Sequence, residues 1–312
     1  MRIIFLIIFF VVFIRNDISA QGITKNGQTT NSSPDFVNRN GKIVGVQNIN
    51  KNGCILSLAT LTTTSISSLT FTTASGGGNI SRDGGLPITA RGICWNTSTG
   101  PTIANNLTVN GSGTGVFSSS MSGLATGTTY YVRAYATNSM GTAYGNELSF
   151  IPGIGMSYQG GIVAYILGTS DPGYIAGQTH GLIAAPTDQV TTPQWGCVGS
   201  VISGADGSGL GTGNQNTIDI MAGCSTTGIA ARICGDLVLG GYSDWYLPSN
   251  GELYKLYLNK NAIGGFAFGE YWSSTEEPEP WTNYAYILHF GSAGSYGGYK
   301  SYNYLVRAVR SF

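Results

Sequence analysis

The hydrophobic and polar residues of the chain divide it into segments of different texture, beginning with an apolar leader. Twelve apolar residues, Ile3–Ile14, follow Arg2 and precede a short polar stretch that ends at Ala20. As a helix this segment would be only about 18 Å long, whereas a membrane's hydrocarbon core is about 30 Å thick. The pattern is typical of a secretory signal peptide (residues 1–20). We therefore predict export to the cell surface, periplasm or medium, with no membrane span after cleavage.

Residues 21–56 form a polar leader in which we predict one hairpin at Gly41–Val46. From residue 57 to residue 152 short alternating segments are separated by glycine-containing turns about every ten residues, which indicates an antiparallel β-sandwich. In the clearest strand, Tyr130 and Val132 share one face while Tyr131 and Arg133 share the other. The candidate strands are Ser68–Ala74, Ile88–Asn96, Val116–Met121, Thr129–Thr137 and Thr142–Phe150.

A second domain, residues 153–312, is predicted after a hinge at 151–155 and mixes strands with short helices. Ser249 and Glu252 have the spacing of a capping box and predict the start of a helix. The other candidate helices are Thr217–Ala222 and Thr227–Asp236. The candidate strands are Tyr158–Tyr165, Gly181–Pro186, Tyr271–Thr275, Ala285–Phe290 and Leu305–Arg310. The predicted fold class is thus β-rich and two-domain, with an α+β second domain.

Charge adds a restriction on the ligand. Only 10% of the residues are charged, and the formal net charge is zero, so a general basic field for nucleic acid is excluded. The neutrality conceals a division, because residues 154–312 contain 6 basic and 11 acidic side chains and therefore carry a charge of about −5. Nucleic acids and sulfated glycans are accordingly disfavoured as ligands of the second domain.

Five cysteines in an exported chain predict disulfide bonds with one thiol left over. We prefer the pair Cys224–Cys234, ten residues apart, although Cys197 competes for either partner. No C-x-x-C motif occurs and only two histidines are present, so a structural zinc site is not expected.

Three segments of the first domain resemble a known module. The stretch from Leu124 to Tyr130 resembles the tyrosine corner of fibronectin type III domains, in which a tyrosine hydroxyl bonds to the preceding loop. Residues 88–95 and 134–147 resemble strands of the fibronectin-like modules common in secreted proteins of Bacteroidetes. The resemblance covers about residues 57–152 and implies a spacer, with Tyr130 in a structural role.

The second domain resembles the Legionella collagen-like protein C-terminal (Lcl C-terminal) domain family in several ordered motifs. They are Gly160-Gly161-Ile162-Val163, Ala184-Ala185-Pro186, residues 211–217 (GTGNQNT), residues 245–249 (WYLPS) with Glu252-Leu253, residues 271–274 (YWSS) and residues 306–310 (VRAVR). The resemblance implies a C-type lectin-like fold with a loop-rich binding face. Some members are variable proteins of diversity-generating retroelements, whose C-terminal segment is hypermutated.

The residues themselves also indicate a binding face. Ten of the 34 residues from Tyr271 to Tyr304 are aromatic, and Ser, Gly and Asn lie between them, as in antibody paratopes. Tyr271, Trp272 and Phe290 adjoin strand motifs and are expected in the core. The predicted ligand-binding residues are Trp281, Asn283, Tyr284, Tyr286, Ser295, Tyr296, Tyr299, Ser301, Tyr302, Asn303 and Tyr304.

The remaining charged residues are given structural roles. Arg307 and Arg310 alternate with valines on the last predicted strand, so we expect salt bridges, with Asp244 or Glu252 as partners. Glu276, Glu277 and Glu279 lie in a proline-containing loop and lack the rigid spacing that glycoside hydrolysis requires. No catalytic residue is assigned and no enzyme is predicted. No cofactor is predicted either, although the same acidic loop leaves calcium-dependent sugar binding open.

Taken together, these features predict an exported, adhesin-like protein that binds a glycan or a protein on another cell or surface. A structural cell-envelope protein without a specific ligand is the alternative, and a carbohydrate-active enzyme is a weaker one. The oligomeric state is left open.

Overall fold

The computed structural model describes residues 55–189 and 192–312, and residues from Ser57 onward form one compact unit. The predicted signal peptide, the hairpin at Gly41–Val46 and Cys54 lie outside the described residues. Within the described part of the chain, no helix has the length and apolar character needed to cross a membrane.

Residues 57–152, called the sandwich half below, form two antiparallel sheets that share one hydrophobic core. Their order is β1-β2-β5 in one sheet and β4-β3-β6-β7 in the other, with β8 paired to β6. The core contains Ile80, Ile93, Met121 and Val132, which are almost completely buried. The strands are β1 (Thr60–Thr63), β2 (Ala74–Arg82), β3 (Ala90–Asn96), β4 (Asn106–Leu107), β5 (Gly115–Met121), β6 (Tyr130–Asn138), β7 (Gly141–Tyr144) and β8 (Leu148–Phe150). This arrangement is consistent with the predicted β-sandwich.

Most of the predicted strands of this half are found, but one is misplaced. The segments Ile88–Asn96, Val116–Met121 and Thr129–Thr137 correspond to β3, β5 and β6, while Thr142–Phe150 is divided between β7 and β8. The segment Ser68–Ala74 does not form a strand, because β2 begins only at its last residue.

Strand β2 was missed because its glycines suggest a turn. A Cβ atom on Gly78 would lie 2.6 Å from the Cβ of Ala134 in the facing sheet, and one on Gly77 would lie 2.1 Å from the carbonyl oxygen of Phe117. The glycines therefore allow β2 to lie close both to the neighbouring strand β5 and to the side chains of the facing sheet. The hydroxyl of Tyr130 accepts a 3.1 Å hydrogen bond from the amide of Ala125, which is the geometry expected of a tyrosine corner.

The C-terminal half, residues 153–312, contains seven strands and four short helices in its described part. They are β9 (Ser157–Tyr158), β10 (Gly161–Ile166), β11 (Gly181–Ala184), α1 (Gly213–Gly223), α2 (Ala230–Gly235), α3 (Asn250–Leu258), α4 (Lys260–Ile263), β12 (Glu270–Glu276), β13 (Tyr284–His289), β14 (Ser295–Tyr299) and β15 (Val309–Ser311). One antiparallel sheet has the order β15-β11-β10-β9 and the other the order β12-β13-β14. Ile183, Trp245, Trp272 and Ile287 belong to a core that also includes residues of α1 and α2.

The helix that was predicted from its capping box is confirmed. The Ser249 hydroxyl accepts a hydrogen bond from the amide of Glu252, and the Glu252 carboxylate accepts one from the amide of Ser249. Both residues are completely buried. The cap therefore stabilises the start of α3 inside the protein, where water could not satisfy those backbone groups.

The two halves contact each other around Phe71. Its ring lies 5.4 Å from that of Tyr158 and 6.1 Å from that of Phe312. A groove of about 940 Å³ lies beside this contact, between residues 65–69 of the sandwich half and residues 258–262.

The predicted disulfide Cys224–Cys234 is wrong, because Cys224 is bonded to Cys197 instead. Cys224 follows the end of α1, whereas Cys234 lies inside the separate helix α2, where its thiol is completely buried. The chain at Gly196 passes directly over Cys224, since a Cβ on that glycine would lie 3.3 Å from the Cys224 sulfur. This approach of distant segments brings Cys197 to Cys224.

Candidate functional site

The sheet β12-β13-β14 has one face in the core and one face lined by tyrosines. In the register of β13 with β14, Tyr284 pairs with Tyr299 and Tyr286 pairs with Gly297, so these four residues share a face. Ala285 and Ile287 point to the opposite face and are completely buried. Alternation along one strand thus supplies both a core and a partly exposed aromatic face.

The aromatic rings continue beyond the sheet in a connected series. Ring centroids are 6.0 Å apart for Trp281 and Tyr284, 5.4 Å for Tyr284 and Tyr299, and 5.7 Å for Tyr299 and Tyr302. Trp281 and Tyr302 are each 58% exposed, a large fraction for residues of this size. We call Trp281, Tyr284, Tyr286, Tyr299 and Tyr302 the aromatic surface.

None of the eleven predicted ligand-binding residues is buried, but the structure does not place all of them together. Tyr296 pairs with Ile287, so it lies on the other side of the sheet from Tyr286, and its hydroxyl bonds Glu270. The Ser295 hydroxyl donates to the side chain of Asn250 at the start of α3. Tyr304 connects Tyr302 to the buried Trp272, with centroids 6.3 and 4.8 Å away respectively. Asn283, Ser301 and Asn303 flank the aromatic surface in sequence.

The aromatic residues that were predicted to be core are confirmed as such. Tyr271 and Trp272 are completely buried, and Phe290 is 3% exposed. The indole N–H of Trp272 donates to the carbonyl of Pro193, so its polar atom is satisfied inside the core.

A buried ion pair supports the end of the sheet, and sequence reasoning missed it. The Lys300 ammonium contacts the Glu276 carboxylate and donates to the carbonyl of Ser200 at 2.9 Å. The other carboxylate oxygen of Glu276 accepts from the amide of Ile202. The ammonium also lies 4.7 Å from the centroid of the Trp195 ring. The pair therefore joins the ends of β12 and β14 to the loop that follows Cys197, a set of contacts between segments far apart in sequence.

Glu277, next to this pair, occupies a different environment. Its side chain is only partly buried, and burial raises the pKa of its carboxyl group above the usual value. A Cβ atom on Gly297 would lie 2.5 Å from a carboxylate oxygen of Glu277, so the carboxylate lies over that glycine. From the sequence, Glu277 was placed in a proline-containing acidic loop and was not included among the predicted ligand-binding residues.

The two arginines near the C-terminus make structural contacts. Arg310 binds the Asp244 carboxylate with two 2.8 Å hydrogen bonds, one of the two partnerships that the sequence suggested. This contact lowers the pKa of Asp244. Arg307 instead pairs with Asp188 at 2.8 Å and donates to the carbonyl of Ala185 at 2.9 Å. Glu252, the other suggested partner, is used in the helix cap.

The acidic residues do not form an obvious reaction centre. Glu276 is neutralised by Lys300, and Glu279 is exposed. Burial raises the pKa of Glu252, but this carboxylate accepts the backbone hydrogen bonds of Gly211 and Ser249. Within residues 55–189 and 192–312, no three His, Cys, Asp or Glu side chains are grouped so that they could hold a metal ion.

Comparisons with solved structures give only partial similarity. A structure titled "Myokine structure" aligns with 31% of this chain and 98% of its own, at 14% identity and a TM-score of 0.25. The short sensor domain of the anti-sigma factor RsgI4 from Pseudobacteroides cellulosolvens aligns with 31% of this chain and 95% of its own, at 16% identity and a TM-score of 0.24. Domains A168–A170 of titin align over 31% of this chain and 32% of theirs, at 16% identity and a TM-score of 0.23.

No curated protein matches the chain with significant similarity. A family model does match, and it covers most of the C-terminal half, including β12, β13, β14 and the whole aromatic surface. The family resemblance indicated by the motifs is thereby confirmed: residues 186–310 match the Lcl C-terminal domain.

Proposed function

We propose that this chain is an exported, adhesin-like protein that binds a glycan or a protein on another cell or surface through the aromatic surface. In this proposal residues 153–312 are a C-type lectin-like domain, and residues 57–152 are a fibronectin type III-like spacer that holds it away from the point of attachment. The match to the Lcl C-terminal domain is compatible with a surface protein of this kind. The Cys197–Cys224 disulfide fits an oxidising compartment.

The observation that carries the proposal is the exposure of large aromatic rings on a well-supported scaffold. Trp281 and Tyr302 are each 58% exposed, while the strands behind them pack on a completely buried core and a buried ion pair. Tyrosine and tryptophan supply contact area at a small cost in side-chain entropy, and neighbouring Ser, Gly and Asn supply adaptable hydrogen bonds. Aromatic faces also stack on the apolar faces of sugar rings. A surface of this composition is therefore suited to glycan or protein ligands.

A binding function is preferred to catalysis for a chemical reason. The charged side chains around the aromatic surface are either paired, as in Glu276–Lys300, or located on a loop, as in Glu277 and Glu279. Glycoside hydrolysis requires two carboxyl groups held at a defined distance by rigid elements.

The proposal can be tested with the purified full chain on arrays of glycans and of cell-surface proteins. The triple variant W281A/Y286A/Y299A removes rings from the aromatic surface and should lose binding while its thermal unfolding stays cooperative. The matched control Y174A/Y254A/F268A removes three exposed rings elsewhere on the protein and should bind like the wild type. Absence of any ligand, or equal loss in both variants, would favour a structural cell-envelope protein.

Hypermutation of the C-terminal segment is a separate part of the proposal. If the aromatic surface is a variable region, the gene should lie near a reverse transcriptase and near a copy of its own 3′ end that differs at adenines. Sequencing of the locus from independent isolates would then show substitutions at the aromatic surface and none in the core strands. Identical C-terminal segments in all isolates would contradict hypermutation but would leave the proposed ligand binding unaffected.

A further inference from the structure

The carboxylate of Glu277 lies on the aromatic surface itself. The Glu277 amide donates to the carbonyl of Tyr284, and its side chain reaches Gly297 of β14. Gly297 pairs with Tyr286, so the space above the glycine is on the same face as Tyr284, Tyr286 and Tyr299. The missing side chain at position 297 leaves a gap among the tyrosines, and this carboxylate fills it.

This carboxylate has no partner among the described residues. No hydrogen bond or ion pair reaches the Glu277 side chain there, whereas Glu276 next to it is neutralised by Lys300. The nearest charged neighbour along the loop is Glu279, which adds a second negative charge. Partial burial without compensation raises the pKa of Glu277, which means that its ionised form is destabilised in the absence of a ligand.

An unpaired carboxylate among aromatic rings favours a cationic group of the ligand. A cation gains a charge-assisted hydrogen bond from the carboxylate and an attraction to the negative faces of the rings. An anion would be repelled by the carboxylate and by the overall negative charge of the C-terminal half. A neutral hydroxyl can donate a hydrogen bond to the carboxylate, but it neither neutralises the negative charge nor gains the attraction of a cation to the rings.

We propose that Glu277, together with Tyr284, Tyr286 and Tyr299, forms a subsite for a protonated amine of the ligand. This inference rests on the proposed function, since it identifies the chemistry that the aromatic surface recognises. The ammonium is that of a lysine side chain of a protein ligand, because the Tyr, Ser, Gly and Asn around the subsite have the composition of an antibody paratope and the charge of about −5 on residues 154–312 attracts a basic protein surface.

The experiment compares binding of labelled probes to the full chain at physiological ionic strength. The probes are tetralysine, a glucosamine tetramer, its fully N-acetylated form and tetraglutamate. We expect tetralysine to bind, tetraglutamate not to bind, and the acetylated sugar to bind at least tenfold more weakly than the glucosamine tetramer. Binding of the glucosamine tetramer without binding of tetralysine would contradict the assignment to a lysine side chain. Failure of both cationic probes to bind, or tighter binding of the acetylated sugar, would overturn the inference.

Three substitutions distinguish the effect of a positioned carboxylate from that of general negative charge. The variant E277Q keeps the side-chain size and should weaken cation binding roughly tenfold, whereas E279Q, on the same loop but exposed, should change it less than about twofold. The variant G297A retains all charges but places a methyl group where the carboxylate lies, so it should also weaken binding. Equal effects of E277Q and E279Q on binding would show that the attraction is non-specific, and this would contradict the proposed subsite. Loss of binding on addition of EDTA would indicate that the subsite binds a metal ion, and the proposal of an amine would be wrong.

Stability distinguishes a ligand site from a structural contact. Because the unpaired Glu277 carboxylate is destabilised by burial, E277Q should leave the melting temperature at neutral pH unchanged or raise it. A structural role would instead lower it. If W281A/Y286A/Y299A abolishes binding of a ligand while E277Q does not affect it, the proposed function survives and only the amine subsite fails.

The pH dependence of binding offers a further readout. Glu277 must be ionised to attract a cation, so binding should weaken as the pH falls through its raised pKa. The groups that face it are Tyr284, Tyr286 and Tyr299, with Glu279 on its own loop and the neighbouring Glu276–Lys300 pair. E279Q should therefore keep the pH dependence and E277Q should lose it. Retention in E277Q would contradict the role of Glu277.

Discussion

The two halves of the chain differ in how they bury charge. In the described residues of the sandwich half, the buried polar side chains are the neutral Thr63, Ser119 and Asn138. In the C-terminal half, five charged side chains are buried, and every salt bridge between described residues lies there. The buried charged residues are Glu252, Glu276, Lys300, Arg307 and Arg310.

The difference follows from how each half satisfies its backbone. Paired strands satisfy the backbone groups of the sandwich half, so its core can consist of hydrocarbon. The C-terminal half contains long segments without regular structure, whose carbonyl groups require other donors. Lys300 donates to Ser200, and Arg307 donates to Ala185, Gly264 and Gly265. The C-terminal half thus uses buried cations to satisfy carbonyl groups that no neighbouring strand reaches.

The largest effect is expected from breaking the buried pair. K300M should lower the free energy of unfolding by about 3–5 kcal/mol, because it leaves the Glu276 carboxylate buried without a cation. Urea unfolding followed by tryptophan fluorescence measures this change. The double variant K300M/E276Q removes the charge as well and should recover part of the loss. If the double variant is less stable than K300M, the unpaired charge is not the cause.

Loss of the disulfide should be the next largest effect. C197A/C224A should destabilise the protein by about 2–4 kcal/mol, because the bond restrains the unfolded chain between residues 27 apart. The measurement is the same urea titration with and without a reductant. The reductant should destabilise the wild type and leave C197A/C224A unchanged, since the remaining described thiols, Cys94 and Cys234, are buried. Sensitivity of the variant to reductant would indicate a different pairing.

In the sandwich half, the corresponding test removes one neutral hydrogen bond. Y130F deletes the hydroxyl that accepts from the amide of Ala125 and should cost about 1 kcal/mol. Y131F, the neighbouring residue on the other face of β6, serves as the control and should have a smaller effect. A loss from Y130F as large as that from K300M would contradict the difference drawn between the halves.

The smallest effect is expected from the exposed salt bridge. Asp244 is 56% exposed as a side chain, so D244N should cost only about 0–1 kcal/mol at neutral pH. Because Arg310 lowers the pKa of Asp244 in the folded state, the contribution is present above the unfolded pKa and disappears as the pH falls through the folded one. The stabilities of wild type and D244N should therefore converge in acid, and a constant difference would contradict this assignment.

The candidate site shows how far sequence could predict function. The density of Tyr and Trp between residues 271 and 304 was enough to locate a partly exposed aromatic segment, and the adjacent strand motifs correctly placed Tyr271, Trp272 and Phe290 in the core. Which tyrosines share a face depends on the register of β13 with β14, and this separated Tyr296 from Tyr286. A shift of one residue reverses every side chain, so composition alone cannot decide this.

The sequence by itself determined those features that are contained in short stretches of the chain. They are the alternation of β6, the capping box of α3 and the individual motifs of the Lcl C-terminal domain. Only the tertiary structure decided the Cys197–Cys224 bond, the Lys300–Glu276 pair, the glycine-rich strand β2 and the place of Glu277 above Gly297. Each of these depends on the distance between segments far apart in the chain. That distance is set by the packing of whole sheets and loops, and no short stretch of sequence specifies this packing by itself.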